Sequence, residues 1–148
     1  MYASTEALSL VANELTGDIP LELYDSTDLR LIAFTHTSLG GSLATEIGKL
    51  ENLEALALHY TKIYGSLPTE IGLLKNLVSV KLSQTAVSGA IPSELGNNLN
   101  LHWIWLQDTN LLGPMPQEVC ALPAATSTFE ADCGLGGQVQ CDCCTICH

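Results

Sequence analysis

The stretch Leu53-Glu-Ala-Leu-Ala-Leu-His-Tyr-Thr-Lys-Ile-Tyr-Gly-Ser-Leu-Pro-Thr-Glu-Ile-Gly72 returns 24 residues later as Leu77-Val-Ser-Val-Lys-Leu-Ser-Gln-Thr-Ala-Val-Ser-Gly-Ala-Ile-Pro-Ser-Glu-Leu-Gly96. The same spacing separates five glycines along the chain: Gly17, Gly41, Gly65, Gly89 and Gly113. A fixed period in this range indicates a repeat architecture in which each unit forms one turn of a coil. Because one turn cannot bury its apolar wall alone, neighbouring turns must complete the core. The period therefore predicts a solenoid.

Three columns of apolar residues recur in register with the glycines. They are Leu8, Ile32, Leu56, Val80 and Ile104; Leu10, Phe34, Leu58, Leu82 and Leu106; and Leu15, Leu39, Ile63, Val87 and Leu111. These residues alternate with positions that would face solvent, as the two-residue period of a strand requires. We predict one short strand in each unit, stacked in parallel on its neighbours at about 4.8 Å.

The second half of each unit is predicted to form an outer arc. Four of the five units follow the pattern Gly-x-x-Pro, and Ala44 replaces proline in the second. Proline fixes φ and suits the start of a helical turn, and the hydroxyls of Thr45, Thr69 and Ser93 are expected to cap such turns. A glutamate column follows: Glu22, Glu46, Glu70, Glu94 and Glu118. We interpret it as the preference of helix starts for negative charge, and the alternative is a ladder of ligand-binding carboxylates.

A polar column marks the turn after each strand. Its members are Asn13, Thr37, Thr61, Thr85 and Thr109. Asparagine and threonine side chains bond to nearby backbone groups, so we expect this column to point inward and satisfy the loop. The alternative is a flat array of threonines that orders water, as on an ice-binding surface.

The frame L-x-x-L-x-L-x-x-[NT]-x-L-x-G-x-[IL]-P-x-E-[IL]-G-x-L, over residues 5–119, resembles the plant-type leucine-rich repeat of receptor-like kinases and secreted polygalacturonase inhibitors. The resemblance implies a right-handed α/β solenoid with short parallel strands on one face and 3-10 or short helical turns on the outer arc. It implies five repeats in residues 1–119, the first of them partial, and extracellular recognition of proteins, peptides or glycans. Two features depart from the family: a paired-cysteine N-terminal cap is missing, and no kinase domain follows.

The last segment, residues 120–148, holds every cysteine of the chain: Cys120, Cys133, Cys141, Cys143, Cys144 and Cys147. An even count in a short terminal segment predicts a disulfide-rich cap, because cross-links replace the core that so few residues cannot build. The tail also resembles the caps of diatom and algal leucine-rich repeat proteins. The pairing stays open, although a bond between the adjacent Cys143 and Cys144 is disfavoured. Metal binding by the C-x-x-C pair and His148 is the alternative, but a second such pair is missing, so we predict no metal.

Composition excludes several classes of function. The net charge is −11, from 16 acidic and five basic residues, which disfavours binding to nucleic acid and to anionic membranes. No apolar run is long enough for a transmembrane helix, so no membrane insertion is expected. The first residues lack the features of a signal peptide, so a secreted protein would be a mature form or a fragment. Dense cysteines indicate an oxidising location, extracellular or at the cell surface.

The outward strand positions are the candidate binding surface. We select Trp103, Trp105, Tyr60, His59, His36, Lys81, Gln84 and Asp108, and we also expect Ala33, Thr35, Ser79 and Ser83 on the exposed side. The two tryptophans lie two residues apart, so they point the same way, either as interface anchors or beneath the C-terminal cap. His36, His59 and Tyr60 are expected to meet; we interpret them as polar recognition residues, with weak metal binding or pH sensing as alternatives.

The sequence shows none of the motifs G-x-S-x-G, H-E-x-x-H or a phosphate-binding loop, so we predict neither an enzyme nor a cofactor. The first hypothesis is an extracellular recognition module that binds a protein, peptide or glycan through its strand face. The alternative is a structural building block that contacts neighbouring subunits of an extracellular assembly, or a fragment of a longer ectodomain. Ice or surface binding through the threonine column is the remote alternative.

Overall fold

The backbone winds into stacked turns, each of which contributes one strand to a long parallel sheet. This computed structural model describes residues 6–123, 128–133 and 138–148. In chain order the strands are Ala7–Ser9 (β1), Thr16–Asp18 (β2), Leu31–Ala33 (β3), Ser38–Gly40 (β4), Ala55–Ala57 (β5), Tyr64–Gly65 (β6), Ser79–Lys81 (β7), Ala86–Ala90 (β8), Trp103–Trp105 (β9), Asn110–Pro114 (β10), Thr128–Ala131 (β11), Val139–Gln140 (β12) and Ile146–Cys147 (β13). The odd-numbered strands form the long sheet in the order β1-β3-β5-β7-β9-β11-β13.

The first predicted column is in register across this sheet. The paired residues run Leu8, Ile32, Leu56, Val80 and Ile104 from β1 to β9. From the second turn onward the residues of all three columns are buried, whereas Leu8, Leu10 and Leu15 of the first turn are only partly covered. The solenoid prediction is therefore confirmed, and the core is one continuous stack of leucine-type side chains.

A second set of strands, which the sequence analysis did not predict, follows the first around each turn. The even-numbered strands form two further parallel sheets, β12-β10-β8-β6 and β2-β4. After the threonine turn the chain stays extended as far as the glycine that recurs in each repeat. Because the turns stack, the same segment of the next turn lies alongside. The backbone groups of the two segments then pair with each other rather than with water.

The outer arc consists of short 3-10 turns and one short helix. The 3-10 turns are Leu21–Asp25, Thr45–Lys49, Thr69–Leu73 and Ser93–Asn97, and the helix is Gln117–Cys120 (α1). The expectation that hydroxyls cap these turns is wrong. The capping position belongs to the preceding Pro20, Ala44, Pro68 or Pro92, in extended conformation and without a side-chain cap. Thr45, Thr69 and Ser93 come one residue too late, and their hydroxyls bond to the following glutamate at 3.2–3.3 Å.

The threonine column points inward. The hydroxyls of Thr37, Thr61, Thr85 and Thr109 donate to the carbonyl three residues earlier at 2.6–3.2 Å. Each of these threonines is at most 9% exposed. The structural interpretation is therefore confirmed, and an ice-binding array of these threonines is wrong because the fold buries them.

A second glycine column allows neighbouring 3-10 turns to pack closely. A Cβ on Gly72 would lie 2.7 Å from the Cβ of Glu94 and closer still to the Glu94 carbonyl oxygen. Gly96 meets Glu118 of the helix in the same way, whereas a Cβ on Gly48 would meet the flexible end of Leu73 at 3.0 Å. The close spacing between neighbouring turns of the outer arc therefore requires glycine, which has no side chain, at positions 72 and 96.

An asparagine ladder also ties the outer arc together. The side-chain amides of Asn52, Asn76 and Asn100 donate to carbonyls of the preceding turn at 3.0–3.1 Å. This ladder satisfies acceptors between turns, and the sequence analysis did not single it out.

The C-terminal cap continues the sheets and is closed by disulfides. The bonds join Cys120 to Cys143, Cys133 to Cys147, and Cys141 to Cys144. Strands β11 and β13 extend the long sheet, and β12 extends the second sheet. The cap therefore closes the core by adding strands to the last repeat. In the part of the chain that the structure describes, no helix has both the length and the apolar character needed to cross a bilayer.

Asp132 completes the backbone ladder where the repeat pattern stops. In earlier turns the N–H after the strand donates to a carbonyl of the next turn, as Gln84 does to Gln107 at 3.1 Å. At the last turn the carboxylate of Asp132 takes that place and accepts from the N–H groups of Asp108 and Thr109 at 2.9 and 3.2 Å. A side chain of the cap thus satisfies donors that an additional repeat would otherwise satisfy.

Substituting Gly72 with alanine is expected to destabilise the fold by about 1–3 kcal/mol, because the new Cβ would overlap backbone of the next turn. Gly48→Ala is the matched control, since its Cβ would lie 3.4 Å from the Glu70 carbonyl oxygen, whereas the Cβ at position 72 would lie 2.4 Å from the Glu94 carbonyl oxygen. Urea unfolding with tryptophan fluorescence measures both. Equal midpoints for the two variants would show that close backbone approach is not what position 72 requires.

Removing the Cys120–Cys143 bond by the double change to serine is expected to cost about 3 kcal/mol, since it closes a loop with a sequence separation of 23. Dithiothreitol should likewise lower the Tm measured by calorimetry, and EDTA should leave it unchanged. A Tm that falls with EDTA but not with dithiothreitol would contradict the disulfide assignment and support metal binding by the tail.

Candidate functional site

Three positions after each of the first five strands of the long sheet lies a residue in the left-handed conformation. Ala12, His36, Tyr60, Gln84 and Asp108 have φ between 51° and 57°. This region is uncommon for residues with a Cβ and costs roughly 1–2 kcal/mol each. The backbone accepts it because the N–H of the turn then reaches the next turn, as in Tyr60 to the Ser83 carbonyl at 3.1 Å. Four of these five residues belong to the predicted binding surface.

An aromatic cluster, defined as His36, His59, Tyr60 and Trp105, occupies the middle of the strand face. The rings of His36 and Tyr60 are stacked, with centroids 4.3 Å apart and planes 13° from parallel. The His59 ring lies edge-on to both at 5.8–5.9 Å and also faces Trp105 at 6.3 Å. The prediction that His36, His59 and Tyr60 meet is therefore confirmed, and Trp105 joins them from two strands away.

Lys81 is the cation at the centre of this face. Its Nζ lies 3.9 Å from the centroid of the Trp105 ring, in cation–π geometry. Among the described residues no carboxylate lies within 4 Å of Lys81, whereas Arg30 and Lys49 form ion pairs with Glu54 and Asp25. Lys81 therefore keeps its charge available to a ligand in a chain that is otherwise strongly acidic.

Polar atoms without partners concentrate around the cluster. His59 Nδ1, Trp105 Nε1 and Gln107 Oε1 are shielded from solvent and form no hydrogen bond within the described part of the chain. Burial lowers the pKa of His59, and the neighbouring charges of His36 and Lys81 lower it further. These effects favour the uncharged form of His59, which lies in the same cluster as Trp105, the ring that contacts Lys81. Gln107 is one of the outward strand positions that the strand periodicity predicts.

Trp103 projects at the edge of the cluster. It is 42% exposed, and its neighbour in ring contact is His102 at 5.9 Å. Strand β11 lies beside the tryptophans, with Thr128 opposite Trp103 and Glu130 opposite Trp105. The cap thus flanks Trp103 rather than covering it.

Gln84 and Asp108 form a separate pair. The Gln84 amide donates to the Asp108 carboxylate. Both residues are exposed, three positions after their strands end. The predicted surface residues therefore divide into the aromatic cluster with Lys81, this polar pair, and Trp103.

The expectation that Ala33, Thr35, Ser79 and Ser83 are exposed is wrong. Each is at most 9% exposed. Neighbouring strands lie about 4.8 Å away on either side, so these short side chains are covered by the residues around them. They therefore contribute little to the exposed surface of the strand face.

The described part of the strand face offers aromatic rings and one ammonium group as contacts. Across residues 6–123, 128–133 and 138–148, no group of three or more His, Cys, Asp or Glu side chains could share a metal ion. The aromatic rings and the free ammonium of Lys81 are groups that stabilise bound polypeptide through apolar and charged contacts.

Comparisons with known proteins show which solved structures share this fold. No family model and no curated protein matches the sequence. Among solved structures, the leucine-rich repeat ectodomain of the plant membrane receptor kinase GASSHO1/SCHENGEN3 from Arabidopsis thaliana, in complex with CASPARIAN STRIP INTEGRITY FACTOR 2, is 27% identical. The TM-score is 0.78, and the match covers 91% of this chain and 18% of that one. The present chain thus spans under one fifth of that ectodomain.

Two further structures are similar over most of this chain. A plant ice-binding protein is 25% identical with a TM-score of 0.75, covering 91% of this chain and 48% of that one. The match to the BIR3–SERK2 complex from Arabidopsis thaliana has 30% identity and a TM-score of 0.75, and it covers 91% of this chain and 72% of that chain. With this extent of similarity, and with repeated parallel strands closed by a disulfide cap, the chain belongs to the leucine-rich repeat proteins.

Proposed function

We propose that this protein is an extracellular recognition module that binds a protein or an extended peptide across its strand face. The observation that carries the proposal is the aromatic cluster beside the unpaired Lys81. Interface hot spots are enriched in large aromatic residues, and the ammonium of Lys81 adds a charged group beside them. The three disulfides support an oxidising, extracellular location.

The shape of the face favours a polypeptide over a small molecule. The cluster, Lys81, Trp103 and the Gln84–Asp108 pair spread over four adjacent turns of a sheet, whereas small ligands are usually enclosed by a concave pocket. Two solved structures similar to this chain are complexes, one with CASPARIAN STRIP INTEGRITY FACTOR 2 and one between BIR3 and SERK2. These complexes support a protein or peptide partner for the present chain.

A glycan is the second candidate for the same face. Trp103 and Tyr60 are 42% and 49% exposed, and exposed aromatic rings can stack on sugar rings. The two candidates differ in their need for charge, because a neutral glycan gains little from Lys81. Binding that depends on Trp103 but not on Lys81 would favour the glycan.

Trp103→Ala combined with Trp105→Ala is expected to abolish partner binding, with a loss of at least 2 kcal/mol, roughly thirtyfold in Kd, for hot-spot aromatic residues. A peptide library displayed on phage would be selected on the wild-type protein. The affinity of selected peptides would then be measured by isothermal titration calorimetry.

The matched control is Tyr64→Ala, which removes an aromatic side chain that is 54% exposed on the second sheet. This variant should bind as the wild type does. Peptides whose affinity is equally reduced by both changes, or by neither, would show that the strand face is not the binding surface.

Protonation of His59 is expected to destabilise the protein at acidic pH. Because its pKa is lower in the folded state, the unfolded chain binds more protons as pH falls through the ordinary histidine range. Stability from neutral His59 is therefore complete above about pH 6.5 and is lost progressively below it. Thermal unfolding at pH 7.5 and at pH 5 should show a larger drop in Tm for the wild type than for His59→Gln. His102→Gln is the control, and it should retain the wild-type drop. An equal drop in the wild type and His59→Gln would contradict the prediction.

A further inference from the structure

We propose that the junction between helix α1 and the C-terminal cap is a thiol-exchange site. A small cationic thiol opens the Cys120–Cys143 disulfide there, and the neighbouring Cys141–Cys144 disulfide reacts with the sulfur that is released. Two features of the junction carry the proposal: a cavity that borders the first disulfide, and the short distance between the first disulfide and the second.

A cavity of about 410 Å³ lies between the end of β10, helix α1 and residues 140–143 of the cap. The lining residues in the described part of the chain are Pro114, Met115, Gln117, Cys120, Gln140, Asp142 and Cys143. Neither cysteine of the bordering disulfide is fully buried. Exchange requires that a thiolate reach one sulfur of the bond, and this cavity supplies the approach for a thiol of a few heavy atoms.

The charge beside the cavity favours a cationic thiol. Asp142 is the charged residue among those that line it; its side chain is exposed and forms no ion pair within the described residues. Residues 82–148 contain no lysine or arginine, and Glu118 follows Gln117 in helix α1. A negative potential raises the local concentration of a cation and lowers that of an anion. An aminothiol is therefore a better reactant here than an anionic thiol.

The first step exchanges one disulfide for another. The thiolate of the aminothiol attacks Cys120 Sγ and forms a mixed disulfide with it, while the bond to Cys143 breaks and its electron pair leaves with the Cys143 thiolate. One S–S bond forms and one breaks, so the step needs no oxidant.

The second step depends on the distance between the two disulfides. The chain bends at Asp142 and Cys143, and Cys141 Sγ lies 3.9 Å from Cys143 Sγ. The Cys143 thiolate attacks Cys141 Sγ, a Cys141–Cys143 bond forms, and the Cys144 thiolate leaves and takes a proton from water. This step consumes the thiolate that would otherwise reverse the first one, and it therefore favours the mixed disulfide on Cys120.

The exchange releases helix α1 from the cap without unfolding the cap. The Cys120–Cys143 bond has a sequence separation of 23 and joins the helix to the segment before β13. The Cys133–Cys147 bond and the pairing of β9, β11 and β13 take no part in the reaction. The attachment of the cap to the last repeat thus responds to an external thiol.

Three thiols with the same two-carbon skeleton test the charge preference: cysteamine, mercaptoethanol and mercaptoethanesulfonate. Mass spectrometry of the intact protein gives the rate of adduct formation, which is divided by the thiolate fraction of each reagent. Cysteamine should react at least about tenfold faster than the sulfonate. Asp142→Asn should reduce this ratio about threefold or more, whereas Asp28→Asn, at the opposite end of the solenoid, should not. Equal rates, or equal ratios in the two variants, would overturn the proposal.

Cleavage before aspartate locates the adduct. Once free thiols are blocked with N-ethylmaleimide, non-reducing digestion yields residues 108–131, 132–141 and 142–148. We expect cysteamine on the first peptide, which holds Cys120, and maleimide on Cys144 of the third. Maleimide on Cys120, or cysteamine on the third peptide through Cys143 or Cys147, would contradict the proposed route.

Two single variants test the second step without added thiol. Cys120→Ser leaves Cys143 unpaired beside the Cys141–Cys144 bond, so maleimide should label Cys144 in at least about one molecule in ten. Cys143→Ser removes the same disulfide and should keep its label on Cys120. Label confined to Cys143 in the first variant would show that the two bonds do not exchange and would overturn the proposal.

The wild-type digest decides the second step if either cysteine variant fails to fold, because maleimide on Cys144 arises only when both disulfides have exchanged. Trp103→Ala should react with cysteamine at the wild-type rate. Failure of the exchange site is therefore distinguishable from failure of the strand face as a binding surface.

Discussion

The structure depends on one constraint: each turn can bury its apolar wall only against the turns on either side. A period of 24 residues therefore has to be kept throughout the repeats, because a shift of one residue would move leucines out of register with their neighbours. The outer arc is held to the same spacing by Gly72 and Gly96, where a side chain would enter the next turn. Stability is consequently distributed over many equivalent contacts between adjacent turns.

Because the inward residues close the core, the outward side chains of the strands are not required for it. The inward columns, together with the threonine hydroxyls, satisfy the interior of each turn, so residues such as Tyr60 and Trp103 have no role in closing the core. The left-handed residues that follow the first five strands of the long sheet carry backbone strain. Neutral His59 and charged Lys81 lie in one cluster because the indole ring of Trp105 stabilises the ammonium without a carboxylate.

The two ends of the solenoid differ in how the terminal turn is covered. At the C-terminal end, Asp132 supplies acceptors in place of a further strand carbonyl, and the disulfides hold short strands against the last repeat. At the other end, Leu8, Leu10 and Leu15 are less buried than their counterparts in the later turns.

Sequence periodicity alone determined the coil, its inward columns, the inward threonines and the meeting of His36, His59 and Tyr60, because each follows from residues repeated at one spacing. The number and position of the cysteines also indicated disulfides, although not their pairing. Only the tertiary structure decided the second set of strands, the failure of the hydroxyl caps, the contact of Lys81 with Trp105, and the burial of Ser79 and Ser83. These features depend on how far one turn lies from the next and on which rotamers fit between them. Such distances arise when the turns stack, and no single repeat encodes them.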